Sequence, residues 1–254
     1  MRQYLRSLWI WTASAALVVL WVPVLGVIWL VDTRTPGKET RLRTGRWFRR
    51  LGRMVTRINP WRIEITGREH IQANQVYVIV SNHQSLADIP LLSHLRLDTK
   101  WLAKVELFRV PVFGWLMRMA GDVPVDRNVP RQGAKAMLRC AKYLRQRVSV
   151  VFFPEGGRSP DGEVQPFNEG AFQLAIREQV PILPLVVEGT GNVLPAKSWL
   201  WGSGRDIQLR VLEAVPVTGW GVKESAALRD VVRQKIVDEL ARLRARPAPS
   251  QNSR

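Results

Sequence analysis

The chain has 254 residues, of which 46% are apolar and 23% charged, so it can form one large domain with a buried core and is neither a disordered tail nor a multi-span transporter. Its single cysteine, Cys140, excludes a disulfide framework and a cysteine-based zinc site, and fits a reducing compartment. The formal net charge of +17 is concentrated at the ends, because residues 1–62 carry 12 Lys and Arg against 2 Asp and Glu, whereas residues 63–222 carry 18 against 15. A broad nucleic-acid-binding surface is therefore not expected in the middle of the chain.

The first segment, Leu8–Val31, contains 24 residues without a charge. As one helix it would be about 36 Å long, which exceeds a hydrocarbon core of roughly 30 Å. It is longer than the apolar region of a signal peptide and lacks a small-residue cleavage site at its end. Two arrangements remain open: a straight membrane span, and a bent, half-inserted hairpin, which Pro23 and Gly26 inside the run favour.

A strongly basic stretch follows, with ten basic residues and one acidic residue in 34–62. Its apolar residues recur at helical spacing: Trp47, Phe48, Leu51, Met54, Val55 and Ile58. This pattern predicts a basic amphipathic helix on an anionic membrane surface, and the alternative is a solvated helix packed on the domain. The Lys and Arg bias places the following domain on the cytoplasmic side, which in a bacterium is the inner face of the inner membrane.

Beyond residue 60, strand and helix patterns alternate. The predicted strands are Trp61–Thr66, Val76–Ser81, Lys100–Ala103, Asp122–Val125, Val148–Phe153, Ile182–Glu188 and Ile207–Ala214. The predicted helices are Leu86–Leu95, Glu106–Met119, Arg131–Arg147, Glu169–Gln179 and Glu224–Arg244. The alternation predicts an α/β fold, a layered mixed sheet flanked by helices, after an N-terminal membrane-anchoring helical segment. We expect an anchor with a basic helix in 1–60, a folded domain in 61–245 and a disordered tail in 246–254.

The most informative polar cluster follows the apolar strand Val76–Ser81. His83 has an acidic residue, Asp88, five positions later, and if Ser85 opens a helix the carboxylate can turn back to the imidazole. A carboxylate bonded to one ring nitrogen holds the tautomer and leaves the other nitrogen as a base. The alternative is that His83 caps a turn and Asp88 caps a helix. The sequence shows no obvious protein nucleophile for the pair, and a substrate hydroxyl could take that role.

Two further strands end in basic residues. Val148–Phe153 leads into Pro154–Ser159, where Gly156 and Gly157 leave backbone N–H groups free beside Arg158. Free N–H groups and a cation compose an anion site, although a glycine-rich turn with a surface arginine has the same sequence. Asp122–Val125 ends in Asp126 and Arg127, a pair that carries little information alone.

Four ordered blocks together resemble the glycerolipid acyltransferase family, and most of all bacterial 1-acylglycerol-3-phosphate acyltransferases. The blocks are N-H-Q-S-L-A-D at 82–88, V-P-V-D-R at 123–127, F-P-E-G-G-R-S at 153–159 and V-P-I-L-P-L at 180–185. The resemblance covers roughly Ile63 to Leu212. It implies a glycerol-phosphate acyltransferase-like fold in 61–245. It also implies transfer of an acyl group from acyl-CoA or an acyl carrier protein to the free hydroxyl of lysophosphatidic acid.

The resemblance also implies roles for single residues. His83 matches the family's general base and Asp88 the residue that orients it. Arg127 and Arg158 match the arginines that bind glycerol phosphate, and Glu155, Gly156 and Gly157 complete that block. Lys104 is a weaker candidate for a phosphate contact. No cofactor beyond the thioester co-substrate, no metal and no nucleic acid are expected.

Two departures from the family pattern bear on the acceptor. Gly157 stands where the family usually has Thr, and Asn168 and Glu169 replace part of a lysine-containing P-F-K-x-G pattern. Both leave open another lysolipid acceptor, such as a lysophospholipid or lyso-ornithine lipid. A catalytically weak membrane lipid-binding protein is the alternative from a different functional class.

Overall fold

The computed structural model describes residues 1–35, 40–126 and 129–245. The predicted tail and Arg127 therefore lie outside the described residues. The strands are β1 Arg62–Thr66, β2 Val78–Ser81, β3 Thr99–Lys104, β4 Val123–Val125, β5 Ser149–Phe152, β6 Ile182–Glu188 and β7 Asp206–Val211. The α-helices are α1 Arg2–Arg34, α2 Leu42–Ile58, α3 Asp88–Leu92, α4 Phe113–Ala120, α5 Pro130–Arg145, α6 Gly170–Glu178, α7 Thr190–Val193 and α8 Ser225–Ala245.

One mixed sheet of seven strands organises the domain, in the order β1-β7-β6-β2-β5-β3-β4. β2 lies at the centre and pairs in parallel with both β5 and β6, with Val78 opposite Val150 and Ile182. β6 and β7 are antiparallel, while β1 and β7 are parallel. The carboxyl ends of β2, β3, β4, β5 and β6 therefore meet at one edge of the sheet, which is where open α/β sheets place ligands.

The sheet is buried on both faces because successive side chains of a strand point to opposite sides. Val78 and Val80 of β2 belong to the core that α5, α6 and α8 cover. Tyr77 and Ile79 belong to the opposite core, which also contains Leu91 of α3. Burial on both faces explains why β2 reads as a continuous apolar run, as predicted.

The sequence prediction is confirmed for the layered mixed α/β sheet and for the place of all seven strands. It is wrong for the single helix over Glu106–Met119. The chain forms a 3-10 turn at Val105–Arg109, and α4 begins only at Phe113. Pro111 lies between the two and lacks the N–H that a continuous helix needs. Similarly, only Asp88–Leu92 of the predicted helix Leu86–Leu95 is α-helical, and a 3-10 turn follows it.

The N-terminal segment is one continuous helix, α1, which includes Pro23. By length and composition it is the one described helix able to cross a membrane. It contacts the rest of the chain near both of its ends. Close to the first end, the Ser7 hydroxyl accepts a hydrogen bond from the backbone N–H of Trp201 at 2.9 Å, and Trp11 Nε1 donates to the carbonyl of Trp199 at 2.7 Å.

The second half of α1 packs against α2. The Trp21 indole donates to the Trp47 carbonyl at 3.1 Å, and the buried Asp32 carboxylate accepts from both the hydroxyl and the backbone N–H of Thr44 at 2.8 Å. Phe48 and Leu51 of α2 are buried with Leu25 of α1 and with α4. Part of the apolar side of α2 therefore packs against protein. For these residues the alternative of a helix packed on the domain is correct, and their side chains do not lie on lipid.

Candidate active site

The loop that follows β2 is tied to the neighbouring strand by Asn82. The buried Asn82 amide donates to the Val187 carbonyl at 2.9 Å and accepts from the Val187 backbone N–H at 2.8 Å. These two bonds continue the parallel ladder with β6 beyond the last strand residue, so the next residue leaves the sheet edge in a defined direction.

His83 and Asp88 are in direct contact. His83 Nδ1 lies 2.7 Å from Asp88 Oδ2, and the same oxygen accepts the backbone N–H groups of Gln84 at 2.8 Å and Ser85 at 3.0 Å. The Asp88 side chain is fully buried and begins α3, so the tight turn from Gln84 brings the carboxylate back to the ring. Because the carboxylate is an acceptor, Nδ1 donates and Nε2 carries the free lone pair.

The ring of His83 is also held by stacking. Phe153, which follows β5, lies parallel to it with ring centroids 4.0 Å apart and an interplanar angle of 21°. Trp101 of β3 contacts Phe153 edge-on at 6.2 Å. The His83 side chain is 13% exposed, so one edge of a mostly buried ring remains open to a substrate.

The loop after β5 holds the loop after β2. Glu155 Oε1 accepts the backbone N–H of His83 at 2.7 Å, and Oε2 accepts that of Gln165 at 3.1 Å. The Ser159 backbone N–H donates to the His83 carbonyl at 2.7 Å. Burial raises the pKa of Glu155 to about 7. Glu155 thus positions His83, a contact that the sequence prediction did not include.

The predicted anion-binding residues lie at the same edge. Gly156 has φ +84°, a conformation that favours glycine, whereas a Cβ at the exposed Gly157 would meet nothing within 4 Å. Packing therefore does not require glycine at position 157. Arg158 is half-buried and forms no ion pair with the described residues. Lys104, at the end of β3, is exposed and pairs with Glu106 at 3.4 Å.

The structure therefore brings His83, Asp88, Glu155 and the Gly156–Arg158 turn together through hydrogen bonds between two loops. Lys104 lies two strands away from β2, and Arg127 follows β4 outside the described residues. Sequence reasoning missed the roles of Asn82, Phe153 and Gln165, although Asn82 and Phe153 are the first residues of two of the four blocks that resemble the family. Cys140 is fully buried in the core, and burial raises its pKa to about 12. The described residues contain no cluster of His, Cys, Asp or Glu that could hold a metal.

Comparison with known proteins decides the family. The sequence model of the family described as Acyltransferase matches residues 62–188, half of the chain. This chain belongs to the Acyltransferase family. The match includes the His83 and Asp88 loop, the Arg127 block and the Glu155–Arg158 turn, and it ends at Glu188.

Relatives with known names give the same result. The chain is 36% identical over 181 residues to a chloroplastic 1-acyl-sn-glycerol-3-phosphate acyltransferase of Brassica napus, over 71% of this chain and 51% of that protein. It is 36% identical over 178 residues to the human 1-acyl-sn-glycerol-3-phosphate acyltransferase alpha, over 69% of this chain and 62% of that protein. The aligned region thus spans about half to three-fifths of these relatives' length.

A solved structure matches nearly the whole fold. The crystal structure of the 1-acyl-sn-glycerophosphate acyltransferase PlsC from Thermotoga maritima superposes with a TM-score of 0.82 at 26% identity, covering 97% of this chain and 98% of that one. The predicted family resemblance is confirmed. The layered fold of this chain, with its N-terminal apolar helix, matches that structure over nearly the whole length of both chains.

The raised pKa of Glu155 makes a prediction about stability. Burial raises this pKa from 4.5 to about 7, so the folded chain keeps a proton that the unfolded chain has lost between these pH values. The contribution of Glu155 to the free energy of unfolding is therefore largest below pH 4.5 and falls as the pH rises to about 7. Urea unfolding in detergent across this range should show a flatter pH dependence for Glu155→Gln than for the wild type. Glu213→Gln, at an exposed position, should follow the wild type. Parallel curves for Glu155→Gln and the wild type would refute this assignment.

Proposed function

We propose that this chain transfers an acyl group from a thioester to the free sn-2 hydroxyl of lysophosphatidic acid, giving phosphatidic acid. The observation that carries the proposal is the hydrogen bond between His83 Nδ1 and the buried Asp88, which leaves Nε2 as a base at the carboxyl edge of the sheet. The acceptor follows from relatives named 1-acyl-sn-glycerol-3-phosphate acyltransferases. Because the substrate hydroxyl attacks the thioester directly in this reaction, the site needs no nucleophilic side chain.

His83 acts as general base in a single transfer. Nε2 takes the proton of the lysolipid hydroxyl while the hydroxyl oxygen attacks the thioester carbonyl carbon, forming a tetrahedral intermediate. The carbon–sulfur bond then breaks, and the thiolate leaves with the proton that His83 holds. Asp88 keeps the ring in one tautomer and stabilises the imidazolium that forms between the two steps.

Neither the single cysteine nor the serine beside the catalytic pair suits the role of an acyl-enzyme nucleophile. A nucleophilic thiol requires an accessible, electropositive setting, whereas Cys140 is buried with a pKa raised to about 12. The hydroxyl of Ser85, two residues after His83, is buried and donates to the Leu194 carbonyl at 2.6 Å. Direct attack by the substrate hydroxyl is therefore the simpler route.

The phosphate of the acceptor binds at the turn after β5. Arg158 has no carboxylate partner among the described residues, and beside it the backbone N–H of Gly157 makes no hydrogen bond to the described residues. The predicted free N–H of Gly156 is wrong, because that group donates to the Phe153 carbonyl at 3.1 Å. Arg127, which lies outside the described residues, is the second guanidinium that the sequence resemblance implies. Lys104 contributes less, because Glu106 already neutralises it.

The domain acts at a membrane surface. The exposed apolar residues of α1 enter the bilayer, and among them are Leu8, Trp9, Leu20, Val27 and Leu30. The exposed Arg43, Arg50 and Arg57 of α2 contact anionic headgroups. The basic stretch after α1 supports a catalytic domain on the cytoplasmic side, which in a bacterium is the inner face of the inner membrane.

Substitution of the catalytic pair tests the chemistry. His83→Ala should lower the turnover number for lysophosphatidic acid by about 10²–10⁴-fold, because it removes the general base. Asp88→Asn should also lose most activity, since an amide can stabilise the wrong tautomer of the ring. Product formation is measured by mass spectrometry, with membrane binding as a check on folding. His70→Ala, which removes a histidine outside the site, is the control. Near-normal turnover of His83→Ala would refute the mechanism.

Loss of a guanidinium tests the acceptor. A hydrogen bond to a charged group contributes about 1.5–3 kcal/mol. Arg158→Ala should therefore lower kcat/KM for lysophosphatidic acid by roughly 10- to 150-fold, mostly through KM, and change any activity on lysophosphatidylcholine much less. Arg177→Ala, an exposed arginine on α6, is the control. Equal losses on both acceptors, or a wild type that prefers an acceptor without a phosphate monoester, would contradict this assignment.

Removal of the basic side of α2 tests the membrane contact. Replacing Arg43, Arg50 and Arg57 together by Gln should abolish the salt-sensitive preference for anionic over neutral vesicles, because each residue contributes only about 1 kcal/mol of screened attraction. Binding to neutral vesicles through α1 should persist in a flotation assay.

The control for this experiment removes the same charge from the opposite face of the sheet. Arg177, Lys223 and Lys235 are exposed on or beside α6 and α8. Their combined replacement by Gln should leave the preference for anionic vesicles intact. If both triple variants lose it equally, overall charge and not α2 governs the contact.

A further inference from the structure

A polar cleft of about 310 Å³ opens beside the catalytic loop. This volume lies at the lower end of the range for ligand pockets, about 300–1,000 Å³. Four segments line it: the loop after β2, the loop after Arg158, the end of β6 with α7 and the residues that follow, and the C-terminal end of α8. Its lining residues include Gln84, Gly162, Glu188, Asn192, Ala196 and Arg244.

The cleft lies on a defined side of His83. Gln84, which follows His83 directly, forms part of its wall, and so does Ser159, whose backbone N–H donates to the His83 carbonyl at 2.7 Å. Its other wall comes from the end of β6, one neighbour of β2 in the sheet. Lys104 ends β3, beyond the other neighbour, β5. The turn with Gly157 and Arg158, where we propose the phosphate binds, leads directly into the cleft wall at Ser159. The cleft therefore adjoins this turn and extends from it toward β6.

The charged groups of the cleft are already paired or hydrogen-bonded. Arg244 Nε lies 3.2 Å from Glu188 Oε2 and Arg244 also pairs with Glu163, while Gln84 Nε2 donates to Glu188 at 2.9 Å. The Asp161 carboxylate accepts from the Ser159 hydroxyl at 2.8 Å. An added phosphate would meet carboxylates here, and a hydrocarbon chain would cover polar groups that need water or partners. The lining suits an uncharged chain that donates and accepts hydrogen bonds.

Amide and glycine residues supply the hydrogen-bonding positions and the space. Asn192 is exposed at the rim, and Gly162 presents backbone with φ +83°. A Cβ at Gly191 would lie 3.7 Å from the Cβ of Gln84, so a side chain there would extend from one wall toward the other. The two walls therefore approach each other at Gly191, which has no side chain, and at Gln84, whose side chain is flexible.

We propose that this cleft binds the pantetheine arm of the acyl donor. The arm is uncharged, carries two amides and a hydroxyl, and ends in the sulfur that bears the acyl group; it is common to coenzyme A and acyl carrier proteins. This inference rests on the proposed thioester-dependent transfer. An arm in the cleft brings the thioester to the catalytic loop from the β6 side, while the acceptor phosphate is held at the adjoining turn after β5, so both reactants lie beside His83.

A bulky residue in the cleft tests the proposal in the full-length protein. Ala196→Trp should raise KM for the acyl donor roughly 10-fold or more and leave KM for lysophosphatidic acid unchanged. The increase in KM should appear with whichever donor the wild type uses, acyl-CoA or acylated acyl carrier protein, because both carry the same arm. An acyl N-acetylcysteamine thioester, which lacks most of the arm, should react equally with variant and wild type. The control is Ala227→Trp, the same substitution at an exposed position near the N-terminal end of α8, whereas Arg244 in the cleft wall lies near its C-terminal end.

The outcomes separate the cleft from the reaction. A wild type that uses no thioester donor overturns the proposed function itself. A working wild type with an unchanged donor KM in Ala196→Trp overturns only the cleft assignment, and so does an increase confined to the lysolipid KM, which would make the cleft an acceptor site. Equal losses with acyl-CoA and the N-acetylcysteamine thioester would also overturn it, because they would indicate damage to the catalytic loop.

Discussion

The buried Asp88 carboxylate is the interaction on which the site depends. A single oxygen accepts hydrogen bonds from the His83 ring and from the backbone N–H groups of Gln84 and Ser85. Bonds to a charged acceptor are shorter and stronger than neutral ones, and in a water-free position no solvent can replace them. The turn therefore has one conformation, and the ring has one tautomer with Nε2 free.

This turn is held from both sides because β2 is the central strand. Asn82 ties it to β6, and Glu155 ties the backbone of His83 to the loop after β5. Both neighbours run parallel to β2, so their carboxyl ends reach the same edge. A strand at the margin of the sheet would have a neighbour on one side only and could not be fastened in this way.

The N-terminal helices are joined to the same core by a second buried charge. Arg49 of α2 pairs with the buried Asp122, and Asp122 also accepts the backbone N–H of Trp101 at 3.0 Å. The guanidinium lies 4.5 Å from the centroid of the Trp101 ring, Trp101 contacts Phe153, and Phe153 stacks on His83. Continuous packing thus connects α2 with the catalytic ring. Removing one member of a buried pair typically costs about 3–5 kcal/mol, so this contact strongly favours the observed placement of α2.

The sequence by itself determined the features that depend on local pattern. Runs rich in β-branched residues predicted all seven strands, and in the central strand β2 burial on both faces leaves a continuous apolar run. The spacing of His83 and Asp88 predicted their contact, because only one turn separates them. The prediction of one helix over 106–119 did not take account of Pro111, which lacks a backbone N–H and lies where that helix breaks.

Only the tertiary structure decided the relations between segments distant in the chain. The use of Glu155 to hold His83, 72 positions away, and the stacking of Phe153 depend on the neighbourhood of β2 and β5, which no local pattern encodes. The amphipathic pattern of α2 fits a lipid surface and a protein core equally well, and the partners Leu25 and Asp122 decided for the core. Local sequence specifies which faces must be buried, whereas packing of the whole chain specifies what buries them.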